Sequence, residues 1–174
     1  MQKRRVLHAV GLLTALSGLT MLLPAAVGAA YGEAASIPIA GAAAITVGSG
    51  WLMSRLGGSA GEISLRDGFA IVTLGWISVA AFGSLPFLLT GTIPSVAGAF
   101  FESVSGLTTT GSTVVAHIDA LPRGIVFWRS LSHWLGGMGI IVLSVAILPL
   151  LGVGGMQLMQ AEIPGLSADR LRPR

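Results

Sequence analysis

Most of the charge in this chain stands at the ends of long apolar runs, and that pattern leaves few folds open to it. Four runs stand out, at residues 6–30, 37–53, 69–89 and 121–151. Each is near or above the roughly 20 residues a helix needs to cross the hydrocarbon core of a bilayer. Only 10% of the 174 residues are charged and 53% are hydrophobic, whereas a soluble domain carries roughly a quarter of its residues as charge. In hydrocarbon each backbone polar group must find its partner within the protein, so runs of this kind span as helices. The sequence therefore reads as an all-α membrane protein. The 25 glycines suit that class, since glycine is more frequent in membrane helices than in soluble ones. The fourth run is too long for one perpendicular span and should tilt, kink or project beyond the bilayer. Its weak point is the "GGMG" at residues 136–139.

Orientation follows from the basic residues. Lys3, Arg4 and Arg5 precede the first run, Arg55 and Arg66 follow the second, and Arg170, Arg172 and Arg174 follow the fourth. If the spans alternate, these fall on one side and leave Arg123 and Arg129 near the other, which predicts cytoplasmic termini. The net charge of +3 is spread over segment ends with no basic patch, so nucleic acid is not an expected partner. No cysteine is present, which excludes disulfides, thiolate metal sites and cysteine nucleophiles. The start, "MQKRR" followed by an apolar run and "PAAVGAA", has the look of a secretory signal. The run is longer than a signal core, and a retained helix is the expectation. The polar end, "QAEIPGLSADRLRPR", reads as a loop leading onward from a fragment of something longer.

Between the third and fourth runs lies a shorter apolar piece, at about residues 94–107, with Thr92 as a possible cap and Pro94 suited to a first turn. It is too short to span, which favours a re-entrant segment over an amphipathic helix lying at the outer surface. It leads into "TTTGST" at residues 108–113. One reading is an ordinary hydroxyl-rich turn. The other is an extended return strand at membrane depth, where non-helical backbone is tolerated only if buried in protein or lining a watery cavity. Threonine favours extended backbone, and Gly111 reaches angles closed to other residues. Successive carbonyls, together with the negative end of the preceding helix, would then suit a desolvated monovalent cation.

At this point the residues resemble a family. "FFESVSGLTTTGST" and the long stretch "LPRGIVFWRSLSHWLGGMGIIVLSVAILPLLGVGGMQLMQAEIPG" are similar to the membrane subunits of bacterial Trk potassium-uptake systems, TrkH type, in the Trk/Ktr/HKT superfamily. The resemblance implies a pore of four helix–P-loop–helix repeats, each giving one strand of a selectivity filter, with two additional helices ahead of the first repeat. Residues 1–60 would be those two leading transmembrane helices. Residues 61–152 would be the first repeat, with its re-entrant helix near 94–107 and its filter at 108–113, and residues 153–174 would connect to a further repeat. Thr109, Thr110 and Gly111 would supply the main potassium-coordinating backbone, flanked on the outer side by Ser112 and Thr113; relatives often have alanine at the Ser112 position. The resemblance also implies a bacterial inner-membrane location, a cytoplasmic TrkA-type nucleotide-binding ring as partner, and no cofactor beyond the transported ion. One filter strand cannot enclose an ion, so the remaining repeats or a second subunit must complete the pore. The competing expectation is a non-conducting structural or assembly protein with the same pore-domain shape.

Other residues have weaker implications. Arg129 and His133 share a helical face; Arg129 either pairs with Glu102 and braces the filter or snorkels to the interface. His133 is read as a packed polar residue and Asp119 as favouring the start of the fourth helix. Trp128 and Trp134 are read as interfacial or packing aromatics, and Gly136, Gly137 and Gly139 as permitting close helix contact. Enzyme chemistry is not expected: the nucleotide-loop and paired-histidine metal motifs are absent, and nothing in the sequence brings Ser105 or Ser112 to His133.

Overall fold

The computed structural model describes residues 2–58 and 64–147. The expected connecting segment at 153–174 and the end of the fourth run lie outside the described residues. Helices α1 (Lys3–Thr20), α2 (Leu22–Ala30), α3 (Ser36–Leu56), α4 (Leu65–Gly83), α5 (Leu85–Leu89), α6 (Val96–Leu107) and α7 (Arg123–Ile147) follow one another, with a single turn of 3-10 helix at Ile118–Ala120. Four stretches are long and apolar enough to cross a membrane: Lys3–Ala30, Ser36–Leu56, Arg66–Leu89 and Arg123–Val142. Their outward faces expose Leu12, Leu16, Leu19, Ile45, Leu52 and Ile77, as suits helices solvated by lipid.

The first and third spans are each broken once, at places marked in the sequence by proline. Pro24 has no amide to give, and its ring crowds the carbonyl four residues back, so α1 ends at Thr20 and α2 restarts at Leu22. Pro86 does the same beyond Gly83, where the Ser84 hydroxyl also donates to the Ala81 carbonyl at 2.6 Å. The fourth span behaves otherwise. α7 continues as helix through the three glycines of "GGMG", because those glycines serve packing.

Small residues set the helix spacings. A Cβ on Gly11 would lie 2.6 Å from the Gly50 carbonyl oxygen, and one on Gly18 would lie 2.8 Å from the Val47 amide. α1 and α3 therefore cross at backbone distance, the packing mode open to helices that gain nothing hydrophobic from leaving lipid. The hydroxyls within this interface stay satisfied: Thr14 donates to the Val10 carbonyl and Thr46 to the Ala42 carbonyl, at 2.8 and 2.7 Å. α4 lies alongside α1 in the same direction, since the Gln2 amide donates to Asp67 at 2.9 Å and the Thr14 and Ser78 hydroxyls meet at 2.8 Å.

The main core gathers Met21, Ile39, Phe87, Ala99, Ile125 and Trp128 where the ends of α1 and α5 meet the starts of α3, α6 and α7. Here the structure corrects two expectations from the sequence. The carboxylate at the start of α7 is Glu33, from the loop between α2 and α3, which accepts from the Arg123 and Gly124 amides at 2.8 and 3.1 Å. Asp119 lies exposed on the 3-10 turn instead. Glu33 wins because its long side chain reaches two orphan amides at once. The cap of α6 is Ser95, whose hydroxyl accepts from the Gly98 amide at 3.3 Å. Thr92 is engaged elsewhere, donating to the Phe87 carbonyl at 3.2 Å.

Gly50→Leu should therefore destabilise the fold by about 1–3 kcal/mol or more through overpacking, read as a lower thermal midpoint in detergent. Gly41→Leu, on the same helix with nothing within 4 Å of its Cβ position, should leave the midpoint unchanged or raise it.

Candidate functional site

α6 is held on both sides by residues with little or no side chain. Ser103 faces Gly83, where a Cβ would come within 2.6 Å of the serine hydroxyl. Gly106 meets Ser132, and a Cβ on Gly136 would overlap the Leu107 carbonyl. The Trp128 indole donates to the Gly83 carbonyl at 3.0 Å and locks α7 to the end of α4. From Glu102 beside Arg129 to Leu107 beside Gly136, α6 runs in the same direction as α7. Its tip stops against the middle of the longer helix. Gly106 lies inside the last turn of α6 as a contact residue.

The stop itself is at Thr109. The Thr110 amide reaches the Ser105 carbonyl and the Thr109 amide reaches the Gly106 carbonyl, both at 3.0 Å. These are the paired bonds of a Schellman cap, which places Thr109 where glycine is usual. Its φ is +57°, while Gly111 two residues on has φ of +77°. Glycine adopts that conformation freely; a β-branched residue there is an outlier costing roughly 1–2 kcal/mol. The Thr109 methyl group sits 3.7 Å from the Cβ position of Gly137.

Beyond the cap the chain turns back along α6. Ser105, 5% exposed, donates its hydroxyl to the Ser112 carbonyl at 2.6 Å. One turn earlier, Glu102, 4% exposed, gathers the strand's outer end. Its carboxylate accepts from the Thr113 hydroxyl at 3.0 Å and the Val114 amide at 3.1 Å, and it pairs with the Arg129 guanidinium. Arg129 also donates to the Thr113 hydroxyl at 3.2 Å, and the Val115 amide donates to that same oxygen at 3.0 Å. Thr113 is thus joined to both charges and to its own strand.

Between the cap and Ser112, the carbonyls of Thr109, Thr110 and Gly111 accept no hydrogen bond among the described residues, and all three residues are exposed. The hydroxyls of Thr108 and Thr110 meet at 2.8 Å. Such a strand offers a short row of free backbone oxygens on a fixed frame. His133 lies one turn beyond Arg129, with its Nε2 buried and without a partner among the described residues. The Ser105 hydroxyl is committed to the Ser112 carbonyl and does not meet His133. Sequence reasoning missed Glu33, whose signal was a lone acid in a short polar break between apolar runs. It also missed the left-handed Thr109, for which a threonine gives no signal.

A profile of the TrkH family, described as a cation transport protein, matches residues 34–170. The chain is 48% identical over 179 residues to the Trk system potassium uptake protein TrkH of Vibrio parahaemolyticus, covering all of this chain and 36% of that protein. It is 48% identical over 177 residues to the protein of the same name from Halomonas elongata, covering all of the chain and 37% of the relative. The crystal structure of the potassium transporter TrkH from Vibrio parahaemolyticus superposes with a TM-score of 0.83 at 47% identity, over 93% of this chain and 35% of that one. The chain thus spans little more than a third of the length of the relatives it matches.

Removing one partner of a buried pair strands the other charge. Glu102→Gln and Arg129→Gln should each lower unfolding free energy in detergent by about 3 kcal/mol, and the double variant by clearly less than their sum. Additive losses would mean that the two side chains are not coupled. Thr109→Gly should hold or raise stability, by up to about 1 kcal/mol once glycine's greater unfolded freedom is set against the relieved strain.

Proposed function

The chain belongs to the TrkH family of cation transport proteins, and from that premise we propose that it forms the two leading helices and the first pore repeat of a potassium-uptake subunit. In this reading α4 with α5, the re-entrant α6 and α7 make one helix–P-loop–helix unit. Thr109, Thr110 and Gly111 present the principal potassium ligands through their carbonyls, with Ser112 and Thr113 flanking them. Glu102 and Arg129 support the strand. The observation that carries the reading is the course of the backbone at α6: it stops against the middle of α7 and comes back with free carbonyls between the helix cap and the Ser105–Ser112 bond.

The physics is that of ion dehydration. A potassium ion gives up water only where oxygens replace it at matching distances, and backbone carbonyls do so without adding net charge. The remaining repeats would close the ring that one strand begins. Transport then involves no covalent step. The distribution of basic residues supports cytoplasmic termini, and membership of the TrkH family supports an inner-membrane location, where a TrkA-type nucleotide-binding ring would dock on the cytoplasmic face.

Expressed from its complete reading frame in a bacterium lacking its own potassium uptake, the protein should restore growth at low potassium. Failure to do so while present in the membrane would favour a structural or assembly role. Gly111→Leu should abolish the rescue, because a leucine cannot hold φ of +77° without strain. Unchanged growth and ion preference in that variant would remove Gly111 and its neighbours from the ion path.

A further inference from the structure

We propose that Ser105 is a positioning residue of the ion path, whose hydroxyl binds the Ser112 carbonyl and so ends the row of ion-facing oxygens at Gly111. This rests on the reading of residues 109–113 as a filter strand and goes beyond it by assigning what limits the ligand set.

The argument starts from where helix hydroxyls send their protons. Thr14, Thr46 and Ser130 each donate to the carbonyl four residues back, and Ser17, Ser84 and Ser132 to the one three back. That back-bonding is the ordinary solution for serine and threonine in an apolar helix. Ser105 has the same option within α6. It donates instead to Ser112, seven residues ahead, at 2.6 Å. The bond is part-buried, short and directed across the turn, so its geometry is set by the returning strand.

The consequence lies in the carbonyl row. The Thr109, Thr110 and Gly111 oxygens carry no hydrogen bond among the described residues, and the Ser112 oxygen is the first beyond them that does. An oxygen aimed at the helix is not aimed at the space its three neighbours leave open. Gly111, at φ of +77°, supplies the backbone turn between the two directions. Glu102 then takes the Thr113 hydroxyl and the Val114 amide, so the strand is fixed from Ser112 outward. Ser105 therefore decides how many carbonyls of this strand an ion meets. Without its hydroxyl, the Ser112 carbonyl is free to turn toward the ion and add an outer ligand, and ligand number is one of the quantities that separates potassium from sodium.

The test uses the complete protein reconstituted in proteoliposomes, with rubidium-86 uptake measured against competing potassium, sodium and cesium. Ser105→Ala should shift the potassium-over-sodium ratio by about fivefold, the equivalent of one net hydrogen bond of about 1 kcal/mol. Ser105→Thr, which keeps the hydroxyl, should restore the parent ratio, and Ser105→Val, nearly its isostere without the hydroxyl, should not. An alanine variant with the parent ratio overturns the proposal. Should that variant not assemble, identical ratios in the threonine and valine variants overturn it equally. A parent protein that takes up no rubidium would instead sink the transport reading, which keeps the two failures distinct.

Discussion

A single carboxylate holds the candidate site together. Glu102 sits on a helix of only three turns, nearly out of reach of solvent, and three groups from two other segments converge on it. Arg129 fixes α7, while Thr113 and Val114 fix the strand. An ionised carboxylate at that depth is costly unless each lone pair is used, and here the use of those lone pairs is what orders the strand. Five neighbouring residues then lie in defined backbone conformations with no regular secondary structure of their own. Because the anchoring acts at the helix cap and from Ser112 outward, the stretch between stays free for a ligand.

That arrangement needs α6 to lie close to its neighbours, which explains the glycine content more directly than composition does. Gly83, Gly106 and Gly136 stand at three successive contacts of α6 with α4 and α7. Lipid offers no hydrophobic reward for burying larger side chains between helices, so close backbone approach and hydrogen bonding do most of the work. The same economy recurs where Gly11 and Gly50 meet in the leading helices. One packing rule thus serves both groups of helices, and the Glu102–Arg129 ion pair stands beside the strand.

The sequence made the spans legible because hydropathy reports directly on the surrounding solvent. It also made the short sixth helix, the threonine–glycine run and the Glu102–Arg129 pairing visible as candidates, since an acid and a base in apolar surroundings seek each other. What stayed hidden was geometry that residue type does not encode. Pro24 and Pro86 were plain in the sequence, yet a proline inside a long apolar run can kink, interrupt or be tolerated. The end of the short helix near residue 107 was legible, but its stop is a left-handed Thr109, in a conformation threonine seldom takes. Asp119 lay nearer in sequence to the helix it was matched to, and Glu33, about ninety residues away, reached it in space. Ser105 looked like any helix serine until the destination of its proton was known.

The Glu33 contact reaches beyond local capping. It ties the loop between the first two spans to the first turn of the last one, with Arg123 stacked 4.1 Å above the Tyr31 ring and Gly124 pressed toward the Pro24 carbonyl. α7 also carries the arginine that steadies the strand. The leading helices are therefore in mechanical series with the returning strand: displacing the first two spans would carry, through one carboxylate and one continuous helix, to Thr113.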